Sequence, residues 1–131
     1  MRNLTATICL TLVLLLGSAG MSWGANFEKG VAAHKSGDYA TALREWKPLA
    51  EQGDASTQFY LGMMYCKGEG IPKDPRTAVK WYRLAAEQGD ASAQYNLGVM
   101  YEYGQGVSQD NKTAVKWYTL AAKQGLAAAQ H

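Results

Sequence analysis

Cysteine is almost missing from this chain: two thiols, Cys9 and Cys66, in 131 residues. Cys9 sits in an apolar run near the start, which leaves Cys66 alone in the rest. One cysteine cannot cross-link a chain to itself, so a disulfide-built scaffold is excluded and the core has to come from packed side chains. Histidine is equally scarce. Neither His34 nor His131 has a Cys, His or Asp at ligand spacing, so both are expected to be solvated and no metal or cofactor is called for. Ser36, Ser56, Ser92 and Ser108 lie outside any G-x-S-x-G elbow, so no catalytic residue is assigned and no enzyme is expected. There is no basic stretch either. Thirteen Lys and Arg are interspersed with eleven Asp and Glu, a net of +2, which excludes the cationic stripe that nucleic acid requires.

Apolar runs are confined to one place. Ile8 to Leu16, broken only by Thr11, follows Arg2 and precedes the small residues Gly17-Ser18-Ala19-Gly20 and Ser22-Trp23-Gly24-Ala25. The run is short of the roughly 20 residues that span a bilayer, and the three-part layout is that of a secretory signal peptide over residues 1–24. Cleavage after Gly24 puts Ser22 and Gly24 at the small-residue positions. Cleavage after Ala25 would put Trp23 at one of them, and a retained anchor needs Leu4 to Trp23 counted as apolar. Cys9 follows Ile8 inside the run, which is not the place of a lipid acceptor. The expectation is an exported protein, periplasmic or secreted, with no membrane contact beyond the signal.

What the chain does have is a repeat. Asp54–Gly89 and Asp90–Gly125 are both 36 residues long and agree at 22 positions. A period of that length is one helix-turn-helix unit. Helix A of the first copy is expected over about Ala55–Lys67, with Ala55, Phe59, Leu61, Gly62 and Tyr65 on one face. Gly62 costs roughly 1 kcal/mol inside a helix, so a close approach of the partner helix is expected there. Gly68-Glu69-Gly70 makes the exit, Asp74 caps helix B with Pro75 in its first turn, and Gly89 ends it. The second copy repeats this from Gly104-Gln105-Gly106 through Asp110 to Gly125. Before them, residues 25–53 form an atypical pair, with helix A over Asn26–Ser36 and helix B over Tyr39 to about Glu51 capped by Asp38. Pro48 is expected to interrupt and bend that second helix. Residues 126–131 begin a further helix A, which leaves the apolar face of the last helix B thinly covered.

Other features have structural readings. The glycine loops follow helices and recur at the repeat period, unlike a phosphate cradle. Glu69, Asp74, Glu87 and Asp110 are loop or cap residues, not an opposed catalytic pair. Trp46, Trp81 and Trp117 are expected to pack between helices, with Trp46 one step off in register. Lys80 and Lys116 belong to a solvated face.

The pattern A-x-x-Q-x-x-L-G-x-x-Y-x-x-G-x-G followed by D-x-x-x-A-x-x-W-Y-x-x-A-A-x-Q-G resembles the Sel1-like repeat, a relative of the tetratricopeptide repeat, over Asp54–Gly125. Phe27–Gly53 is more similar to a tetratricopeptide unit. The resemblance implies an all-α, right-handed solenoid and an adaptor or scaffold role. It also implies that the A helices line a concave groove. There the two copies differ: Phe59/Tyr95, Tyr60/Asn96, Met63/Val99, Cys66/Glu102 and Lys67/Tyr103. By that resemblance the groove carries Phe27, Val31, His34 and Lys35, then Ser56, Phe59, Met63, Cys66 and Lys67, then Ser92, Tyr95, Val99, Glu102 and Tyr103. Core packing is the competing role for Phe59 and Tyr95. The expected partner is a peptide or helix of another protein, with self-association through the exposed last repeat as a linked expectation. Cysteine-rich relatives suggest the alternative of a cell-wall enzyme or β-lactam-like binder, but their paired cysteines are absent.

Overall fold

The computed structural model describes residue 24 and residues 26–125; nearly all of the expected signal segment, and the expected helix start at 126–131, lie outside the described residues. Helix α1 covers residues 26–35, and after it come α2 (Tyr39–Glu51), α3 (Ala55–Lys67), α4 (Pro75–Glu87), α5 (Ala91–Tyr103) and α6 (Asn111–Lys123). No strand occurs among the described residues. From α2 onward each helix packs chiefly on its neighbours in the chain, the open row of a solenoid rather than a closed bundle.

Local chemistry sets the boundaries. Asp38, Asp54, Asp74, Asp90 and Asp110 stand at the N-caps of α2 to α6, and each accepts a backbone N–H three residues on. At Asp54, Asp74 and Asp110 the Thr at that third position also donates its hydroxyl to the carboxylate. The A helices α3 and α5 end on Gly68 and Gly104, both left-handed, where a Cβ would be strained. Helix α2 runs through Pro48 to Glu51, and the proline does not interrupt it. Pro48 is exposed, and its carbonyl still accepts from Gln52 N, so the turn closes beyond it.

Two features lock successive helices. The first is a ring on a glycine: Trp46 lies on Gly30, Tyr82 on Gly62 and Tyr118 on Gly98. The close approach expected at Gly62 is therefore made by a side chain. It also places Trp46 at the position of Tyr82, which accounts for its offset from Trp81. The second is a glutamine clamp. Gln58 donates to Ala50 O at 3.0 Å and accepts from Gln88 at 2.8 Å; Gln94 donates to Ala86 O at 3.1 Å and accepts from Gln124 at 2.8 Å. Each of these buried amides ties a helix A to the end of the preceding helix B and to the end of its own. Around them pack Leu61, Met64, Ala78, Val79, Leu97 and Met100, all buried. No helix among the described residues is long and apolar enough to cross a membrane.

Candidate functional site

The expected groove residues separate into those spent on packing and those left available. In the first pair, Phe27 is half-buried against Trp46 and Tyr60, and its carbonyl accepts from Trp46 Nε1 at 3.2 Å. Val31 packs on the same cluster. His34 is not solvated: its ring lies against Tyr39 and Trp46, and Nε2 is 3.2 Å from Glu69 Oε1 in the next repeat. The Glu69 carboxylate also acts on the Tyr39 hydroxyl and pushes that phenol above its ordinary range. The exit loop thus holds two repeats together. Lys35 is exposed.

In the second pair, Phe59 contacts the rings of Tyr60 and Tyr82, and in the third Tyr95 contacts Tyr118. Both are half-buried and serve packing. Ser56 is exposed and joins Phe27, Leu49 and Asp54 around a small cavity of about 230 Å³. Ser92 is half-buried. Glu102 accepts from the Tyr118 hydroxyl. Tyr103 is 68% exposed, the most solvent-facing of the large apolar residues among those described.

Four of the remaining residues come together. Met63, Cys66 and Lys67 of α3 face Val99 of α5 across a cavity of about 300 Å³. Tyr82 from α4, Asn96 and Met100 from α5, and Gln105 from the exit loop complete its lining. These four were absent from the expected groove. Asn96 stands out in the sequence only as a varying position, and Tyr82 does not stand out, being identical in the two repeats. A signal was present, because Asn96 is the counterpart of the much larger Tyr60.

The electrostatics of this cavity are mild. Asn96 and Cys66 act on the Tyr82 hydroxyl. Burial, reinforced by Cys66, pushes its phenol well up, so it remains neutral at ordinary pH. Burial and then Glu102 act on Tyr118 in the same direction. Lys67 is exposed and has no ion-pair partner among the described residues. Cys66 is a free, half-buried thiol. Among the described residues, no group of three His, Cys, Asp or Glu could hold a metal ion. The cavity is an apolar pocket with two amides, a phenol and one cationic rim residue, a composition suited to holding a side chain.

A family model for the Sel1 repeat matches residues 55–90 and 91–126. The chain belongs to the Sel1 repeat family. Sel1 repeat proteins generally mediate protein–protein interaction and are typically non-enzymatic scaffolds. Among solved structures, this Sel1 repeat chain is similar to a Sel1 repeat protein from Oxalobacter formigenes. That match has a TM-score of 0.76 and 40% identity, over 79% of this chain and 42% of the other. It is also similar to a protective antigen of uropathogenic Escherichia coli displaying an SLR fold, with a TM-score of 0.78 and 36% identity over 86% of this chain. The chain spans 25% of that protein, so both relatives are much longer. Helicobacter pylori cysteine rich protein B shares the fold, with a TM-score of 0.71 at 23% identity over 91% of its length. No curated protein matched the chain.

Proposed function

We propose that this Sel1 repeat protein is an exported interaction module that docks a peptide or helix of a partner protein along its A helices. The observation that carries this is the open cavity between α3 and α5. It is lined largely at positions where the two repeats differ, while the framework positions around it agree. Framework positions hold the solenoid; varied, accessible ones are where a binding surface acquires selectivity. The patch on the described A helices is short and suits an interface at the small end of the usual range. Export rests on the signal-like start. Self-association through the exposed end of α6 is a linked reading, since apolar surface there invites a second copy.

The test is cross-linking of the tagged protein in an envelope fraction, beside a variant with Lys67→Glu and Tyr103→Ser. Both positions are exposed, so the variant should keep its fold. A specific protein captured by the parent and lost from the variant supports the reading. Capture that is unaffected, or only of the chain itself, rejects the docking surface. N-terminal sequencing of the protein from the envelope fraction should start at Ala25; Asn26 would mean cleavage after Ala25 and Met1 a retained anchor, whereas recovery of the chain only in the cytoplasm overturns the export reading.

A further inference from the structure

The two junctions between repeats differ in one respect. Where the first repeat meets the second, Tyr60 of α3 stacks on Trp46 of α2, with centroids 4.9 Å apart and planes at 27°. One repeat on, Tyr82 stands for Trp46 and Asn96 for Tyr60. The amide shares the lining of the cavity of about 300 Å³ with Tyr82 but brings no ring to fill it. Around that space stand two thioethers, Met63 and Met100, the Tyr82 phenol and Val99, surfaces that favour an aromatic guest over an aliphatic one. Among the described residues Lys67, on its rim, has no ion-pair partner, and Lys35 on the same series of A helices is also exposed and without one. The one groove carboxylate on α5, Glu102, is engaged by Tyr118.

We propose that this cavity receives an aromatic side chain from an acidic segment of a partner protein, in the place that Tyr60 fills from within the chain at the preceding junction. The proposal rests on the docking role given above and adds the chemistry of the anchor. It explains why the junctions are unequal: one is closed in cis and the other left open for a ring in trans. Carboxylates beside that ring would meet Lys67, which sets the orientation of the segment more than its affinity.

The isotope-labelled protein, obtained from expression of the full chain, is titrated with acetyl-Glu-Tyr-Glu-amide, acetyl-Glu-Leu-Glu-amide and acetyl-Lys-Tyr-Lys-amide while amide resonances are followed. Saturable shifts at Met63, Asn96 and Val99 are expected with the first peptide, and about tenfold weaker binding with the leucine peptide. The lysine-flanked peptide should be weaker than the glutamate-flanked one. Asn96→Tyr should abolish binding without lowering Tm, because the same ring is accommodated at Tyr60. Val99→Trp, which narrows the cavity from its open side, should do the same and decides the matter if Asn96→Tyr does not fold. Equal binding of tyrosine and leucine peptides overturns the aromatic anchor and leaves the docking role intact. Shifts confined to other faces, or none, overturn both.

Discussion

The ring of Tyr82 lies on the backbone of Gly62, so close that a Cβ at that position would stand 2.7 Å from Cδ1. Alanine would improve helix propensity by about 1 kcal/mol, yet the ring sits in a packed core and cannot withdraw freely. Gly62→Ala is therefore expected to destabilise by about 1–3 kcal/mol net of that gain. Combining it with Tyr82→Leu should cost less than the sum of the two changes, a coupling read from a double-mutant cycle in urea. Additive effects would show that ring and glycine are not in contact.

The glutamine clamp gives a second test. Gln94→Ala removes a donor to Ala86 O and an acceptor for Gln124 from a buried site, and should cost about 1–2 kcal/mol. Its exposed partner is worth less: Gln124→Ala should cost no more than about 0.5–1 kcal/mol. Denaturant midpoints with an unchanged m-value would report both.

Acid should loosen the chain through its caps. Hydrogen bonds from Thr41, Thr77 and Thr113 hold the carboxyls of Asp38, Asp74 and Asp110 below their ordinary range. The folded value is the lower one, so this stability is present above the ordinary carboxyl range. It is lost as pH falls through the lowered values, where the unfolded state binds protons that the native state does not. Tm should accordingly fall with acid. In Thr77→Ala, which keeps the backbone N–H but removes the hydroxyl, the Asp74 carboxyl should titrate nearer its usual value by carbonyl NMR. An unmoved Asp74 would exclude the hydroxyl as the cause.

Equivalent residues of the two 36-residue repeats should respond differently. Val79 is 2% exposed under α5, whereas its counterpart Val115 on α6 is 60% exposed. Val79→Lys places a charge in the core and should cost several kcal/mol, about 3 or more, while Val115→Lys should stay within about 0.5 kcal/mol. Thermal melts of the pair, with size-exclusion of Val115→Lys against the parent, would also show whether that face holds a second copy.

The period of 36 residues, the aspartate caps and the glycine exits set the helix pairs, their order and their boundaries, because each acts within a turn or two of backbone. Phe59–Tyr82, Tyr95–Tyr118 and His34–Glu69 were not legible in that way, since each pairs residues far apart in the chain whose meeting depends on how the helices stack. Pro48 shows the same from the other side: a residue that weakens a helix locally is carried through by packing of Trp46, Leu49 and Ala50 around it. The sequence alone determined that this is a repeat solenoid and marked the positions free to vary. Only the tertiary structure decided which of those positions enclose a cavity. A cavity is the volume left after every neighbour has packed, and the substitution of Asn96 for Tyr60 acquires meaning only against Tyr82.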